Sequence, residues 1–386
     1  MKKIFIPIFI CLFIFKAYAQ DNSTANQRVI TTAVPFILIA ADARAAGMGD
    51  IGVATSADAF SQQWNPAKYA FAISKQGVGI TYTPYLSQLV NDIFLGNLTY
   101  YNRINERSAI GASLRYFSLG DIELRQNIEQ EPLIQSPNEF TFDVSYALRL
   151  SERFSMAVAG RYLRSDLRIQ ASNEDATAAS SFAVDIAGYY QSEEIAYNDF
   201  DGRWRAGFNI SNVGPKIKYD EVGQENNLPT NLGLGGGFDF ILDAYNKIGI
   251  NAEVNKLLVP TPQDFDGDGD IDAEDDEVYE DISFFSGIFE SFGDAPDGFS
   301  EELKEFTWAL GAEYWYQDVF AFRTGYFNES DLKGSRKFLS LGAGFRYTAI
   351  NIDISYLFST SKVRSPLEGT LRFGLTFNFG DEYDEY

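Results

Sequence analysis

Six aspartates crowd into twelve residues: Asp264, Asp266, Asp268, Asp270, Asp272 and Asp275. The run places oxygen donors at loop positions 1, 3, 5, 9 and 12, Gly269 at position 6 and Ile271 at position 8. That spacing is a calcium loop: alternate acids converge on one ion, and the glycine makes the sharp turn. In this reading Asp264, Asp266, Asp268 and Asp275 ligate directly, Asp272 through water, and Asp270 by its backbone carbonyl. The alternative is an acidic, solvated surface loop. Extracellular modules of this kind bind calcium on the order of 10⁻⁴ to 10⁻³ M.

An apolar cluster follows: Phe284, Phe285, Ile288, Phe289, Phe292 and Phe299. Aromatics gathered on a loop are either packed or bound to something. One reading is a partner-binding finger formed by Phe284, Phe285, Ile288, Phe289 and Phe292; the other is packing over the fold beneath. Ser300, Glu301 and Glu302 suit the start of a short helix through Glu305.

Catalytic residue types are scarce. Histidine is absent, which removes the commonest general base and transition-metal ligand. The single cysteine, Cys11, lies in an apolar stretch expected to be cleaved off, so the mature chain has no thiol. The paired carboxylates Glu193-Glu194 and Asp275-Asp276 fall in turns and loops and read as solvated charge. No catalytic residue and no organic cofactor are expected. The net charge is −23. Removing Lys2, Lys3 and Lys16 with the leader leaves 28 Lys and Arg against 54 Asp and Glu, a balance that disfavours nucleic acid.

These loops need a scaffold, and the chain beyond residue 77 supplies a repeated pattern. Apolar residues occupy every second position in about fourteen segments. Examples are Phe140, Phe142, Val144, Tyr146 and Leu148 against Thr141, Asp143, Ser145 and Arg149, and Leu371, Phe373, Leu375, Phe377 and Phe379 near the end. Each is a strand with one oily face. Short links such as Ser151-Glu152, Gln317-Asp318 and Thr348-Ala349 alternate with long ones at 119–139, 164–180, 212–229 and 257–305. The fold expected is all-β: a closed fourteen-stranded antiparallel transmembrane barrel over 78–386, with a long extracellular loop at 257–305. An even strand count predicts both termini in the periplasm. Small and polar inward positions, Asn231, Gly233, Gly235, Gly237 and Asp239, argue against a continuous apolar conduit.

Residues 1–19 read as a signal peptide: Lys2-Lys3, an apolar run to Phe15, and the Ala17-Tyr18-Ala19 cleavage site. Residues 20–77 are too few to fold alone and are sized to lie inside a barrel as a hatch. Ala40 to Ala46 is helix-prone, Ser56-Ala57-Asp58 suits a cap for a short helix to Gln63, and Trp64-Asn65-Pro66-Ala67 ends it.

That last motif, behind a Gly-, Asp- and Ala-rich stretch and ahead of a barrel, resembles the FadL-like superfamily of fourteen-stranded outer-membrane proteins with an N-terminal hatch. The longer passages Thr32 to Phe36, Ala41 to Asp50 and Trp64 to Phe71, with Gly287 to Pro296 and Gly298 to Glu305, are most similar to one branch, the PorV (LptO) family of the type IX secretion system. The resemblance implies an outer-membrane protein that works with a giant translocon barrel of the SprA/Sov type. Such proteins bind the C-terminal domains of secreted cargo and pass them to a sortase-like attachment complex. The other function weighed is a channel for long-chain fatty acids or other hydrophobic molecules. The 264–275 loop, with Asp at its last position, resembles a dockerin-type calcium loop more than the usual EF-hand, and Pro260 and Pro262 leave no helix entering it.

Overall fold

The computed structural model describes residues 28–87, 89–125, 131–167, 178–219, 224–269, 271–361 and 365–383. The expected signal peptide and Cys11 lie outside these residues. Fourteen long strands form the wall: β1 Ser74–Pro84, β2 Ile93–Arg103, β3 Ser108–Leu119, β4 Asn138–Arg149, β5 Phe154–Asp166, β6 Ala179–Gln191, β7 Asp201–Val213, β8 Asn231–Ile241, β9 Asn246–Leu257, β10 Phe306–Tyr316, β11 Phe320–Asn328, β12 Lys337–Tyr347, β13 Ile350–Ser359 and β14 Leu371–Glu382. Each pairs antiparallel with its sequence neighbours, and β14 closes on β1 with Val78 opposite Phe377. Closure gives every wall strand two partners and leaves no open edge. The first strand begins at Ser74, four residues before the expected boundary, because the ladder to β14 reaches Glu382.

The wall is inside-out relative to a soluble protein. In β4, Glu139, Thr141, Asp143, Ser145 and Arg149 are buried, while Phe142, Val144 and Tyr146 are exposed. An apolar outer face and a polar inner face suit a bilayer around a filled lumen. Outward aromatics gather in two bands. Tyr82, Phe94, Tyr116, Phe140, Tyr162 and Phe182 lie toward one rim; Trp204, Phe238, Phe240, Phe320 and Phe345 lie toward the other. These are the positions of interfacial girdles. The links at 104–107, 150–153, 192–200, 242–245, 317–319 and 348–349 share a short-turn rim, and 258–305 is the longest link of the opposite, long-loop rim.

The chain before β1 runs through the lumen. Arg28 sits among long-loop side chains, pairing with Glu301 and Asp297, whereas Ile73 accepts from the Tyr383 amide at the short-turn rim. The ends expected to share one side lie outside the described residues. Arg28 and Tyr383 lie at opposite rims, because the N-terminal segment threads the barrel before the first strand begins.

Candidate functional site

Lumen packing starts from short, capped turns. The Asp42 carboxylate accepts from Ala45 N at 2.7 Å and opens α1, Ala43–Ala46. Asp58 accepts from Phe60 N, so α2 begins only at Ser61 and ends at Trp64, shorter than the sequence suggests. Asn65 caps a 3-10 turn over Pro66–Phe71 through Ala67 N. The expected stop at Trp64 to Ala67 is thus a junction: Pro66, with no N–H to leave unpaired, starts the next turn.

The Trp64, Asn65, Pro66, Ala67 motif ties this segment to itself and to the wall. The Trp64 indole N–H donates to Asp42 at 2.6 Å, and Asn65 Nδ2 donates to the carbonyls of Val53 and Gly188. Asn209 Nδ2 donates to the Trp64 carbonyl, and Ser155 Oγ to that of Ala67. Charged anchors surround it. Arg44 forks onto Glu313 of β10 at 3.0 and 2.9 Å and reaches Asp58; Glu253 of β9 accepts from Gly52 N and Val53 N; Arg372 of β14 meets Asp50.

The small wall residues make room for this packing. A Cβ on Gly325 would lie 2.0 Å from the Met48 carbonyl carbon, and one on Gly207 would lie 2.6 Å from the Val53 carbonyl oxygen. Gly233 and Gly235 likewise face Val53 and Ala54. What remains of the lumen includes a cavity of about 480 Å³, bordered by Ile37, Ile39, Trp64, Arg115, Leu257 and Phe327 among others.

The long-loop rim carries the second constellation. Asp264, Asp266 and Asp268 bring carboxylate oxygens within 4.8 Å of one another. Two further members of the expected calcium set are otherwise engaged. Asp272 caps α3, Ala273–Asp281, and Asp275 closes a reciprocal capping box. Asp275 is buried and accepts from Phe265 N, Asp266 N and Asp272 N, which corrects its reading as solvated charge. Burial alone would raise its carboxyl; these three donors outweigh that and hold it below the usual range. Asp270 lies outside the described residues. Neither Asp272 nor Asp275 belongs to the grouped carboxylates, because the backbone of the loop and helix claims both.

Ser283 caps α4, Phe284–Glu290. Phe285 and Phe289 form an edge-to-face pair at 5.3 Å and are 62% and 65% exposed. Of the residues proposed for contact, Phe292 is also exposed, while Phe284 and Ile288 are half-buried; Phe299, further along, is exposed as well. Beneath them the loop is held by buried ion pairs. Lys256 contacts Glu302 and Glu305, Lys333 contacts Glu301 and Glu305, and Arg28 forks onto Glu301. The expected helix at Ser300 starts one residue earlier, at Phe299 behind Gly298, and runs to Glu302 as α5.

The family model described as type IX secretion system protein PorV matches residues 22–264. The chain belongs to the PorV family. It is therefore an outer-membrane component of type IX secretion. Similar solved structures include a FadL homologue of Pseudomonas aeruginosa, at 12% identity and TM-score 0.46 over 88% of this chain and 98% of that one. The Ralstonia pickettii toluene transporter TbuX is similar at 12% identity and TM-score 0.47, over 89% and 100%. The Pseudomonas putida toluene transporter TodX is similar at 10% and 0.45, over 86% and 95%. No curated protein matches the chain.

In this PorV-family chain the sequence motif at Trp64 to Ala67 marked the lumen segment but not its anchors. Arg44, Glu253, Glu313 and Arg372 carried a usable signal. Each is an ionisable side chain in the lumen segment or at an inward strand position, where an unpartnered charge is costly. Partner identity needed the three-dimensional register.

Proposed function

We propose that this PorV-family protein binds the C-terminal domains of secreted cargo at the translocon barrel and carries them to the sortase-like attachment complex, without catalysis. Family membership supports the secretion role, and the exposed Phe285–Phe289 pair supports a protein contact at the long-loop rim. In this reading the long-loop rim faces outside and the short-turn rim faces the periplasm. The C-terminal end is then periplasmic and Arg28 lies at the outer rim. Deleting the gene should abolish surface display of cargo bearing the C-terminal domain, and affinity capture from detergent extracts should recover a very large barrel. Normal display in the deletion strain would refute the reading.

A channel for hydrophobic molecules is the second reading, favoured by the apolar part of the lumen cavity. It predicts lost growth on long-chain fatty acids with cargo display intact. Calcium at Asp264, Asp266 and Asp268 is a further part of the proposal: the donors are hard oxygens, at the spacing of an ion's ligand shell. Calorimetry of Asp264→Ala with Asp268→Ala against the parent, at millimolar calcium, tests it; equal binding by both would leave an acidic loop.

A further inference from the structure

We propose that Asp294, Glu302 and Glu305 form a second, separate site for a divalent, oxygen-liganded cation at the base of the long loop. One carboxylate oxygen from each lies within 4.8 Å of the others. Glu302 and Glu305 are 5% and 7% exposed. The existing partners do not use up their oxygens. Lys256 Nζ lies 2.7 Å from Glu302 Oε1 and 2.6 Å from Glu305 Oε2. Thr261 Oγ1 and Lys333 Nζ donate to Glu305 Oε1, and Thr261 N donates to Asp294 Oδ2. Among the described residues, no hydrogen-bond donor reaches the buried Asp294 Oδ1 or Glu302 Oε2.

Charge points the same way. Among the described residues, Arg28, Lys256 and Lys333 are the cations at this cluster, against the enclosed Glu301, Glu302 and Glu305 and the half-buried Asp294; Asp297, 72% exposed, is left to solvent. Enclosed negative charge in excess of its partners calls for a further cation or a proton. All available donors are oxygen, which suits calcium or magnesium; calcium tolerates the irregular geometry of a site shared with an ammonium group better. A bound ion would join the segment after α4 to α5 and fix how Phe289, Phe292 and Phe299 are presented.

The test uses the full chain purified in detergent, with calcium alone as the probe and magnesium in a parallel arm. Calorimetry and thermal unfolding compare the parent, Asp294→Asn with Glu302→Gln, and Asp264→Asn with Asp266→Asn and Asp268→Asn. The expected result is saturable calcium binding and a raised unfolding temperature in the parent; the outer-loop variant keeps the binding that belongs to Asp294, Glu302 and Glu305, and Asp294→Asn with Glu302→Gln loses that share of the binding, so that it binds fewer calcium ions than the parent and its unfolding temperature rises less. Heat-modifiable migration checks that each variant folds. If the double variant does not, Asp294→Asn alone, which leaves both Lys256 contacts in place, is read the same way. Binding unchanged by removal of Asp294 and Glu302, or binding lost with the outer-loop variant alone, would overturn the proposal. So would a calcium-free Asp294→Asn as stable as the calcium-loaded parent, since a proton would then suffice.

Discussion

Arg44 shows how much one lumen side chain carries. It joins Glu313 of the wall to Asp58 of the threaded segment, away from water. Deleting one member of a buried ion network leaves its partners uncompensated. Arg44→Met should cost about 3 kcal/mol, read from urea unfolding in detergent, with proteolysis reporting whether the threaded segment comes free. Gly325 makes the complementary point through space. Gly325→Ala places a methyl group against the Met48 carbonyl, so it should destabilise the barrel by about 1–3 kcal/mol as overpacking; an unchanged unfolding midpoint would mean that the Met48 backbone shifts freely. At the rim, Glu301 is held low, at about 2 against an ordinary 4.5, by the Arg28 fork first and then by Lys333. A carboxyl lowered by folding stabilises fully above about pH 4.5 and loses that contribution as pH falls toward 2. Protease cleavage of the 258–305 loop should therefore rise across that acid window, and Arg28→Gln should shift its onset to higher pH.

Elements divide by what they bury. The wall strands turn their apolar residues outward and their charges inward, so their stability depends on lipid outside and ion pairs inside. The helices at the rim bury little: α4 leaves Phe285 and Phe289 largely exposed. Phe285→Ala with Phe289→Ala should change stability by no more than about 0.5 kcal/mol, since neither ring is seated in a core. The same pair should reduce capture of cargo C-terminal domains. Loss of stability without loss of capture would show that the rings brace the loop instead of binding.

On the scale of the whole molecule, a closed wall around a threaded segment explains the composition. Val158, in the middle of β5, faces outward between Tyr146 and Ile186. Val158→Arg should cost about 2–4 kcal/mol in folding into lipid vesicles, the penalty of an arginine near the bilayer midplane. Arg161, three residues on, faces inward and is held by Asp143 and Asp185, so an arginine is at home there. A small effect of Val158→Arg would place that strand away from the membrane centre.

The period-two pattern determined the strands, their oily faces and the barrel, because alternation fixes which face every residue takes once a strand exists. It also explains why Gly207, Gly233 and Gly235 were legible only as small wall positions. That they receive Val53 and Ala54 depends on chain segments far apart in sequence meeting in the lumen. The acidic loop was legible as a spacing, yet Asp272 and Asp275 were claimed by the N-terminus of α3, where unpaired amides compete for the same carboxylates. That the chain before β1 lies inside the barrel was legible from its size; the direction in which it threads the lumen was not. Threading from the Arg28 rim to the Ile73 rim rests on contacts such as Arg28–Glu301 and Arg44–Glu313, and only closure of the barrel brings those partners together.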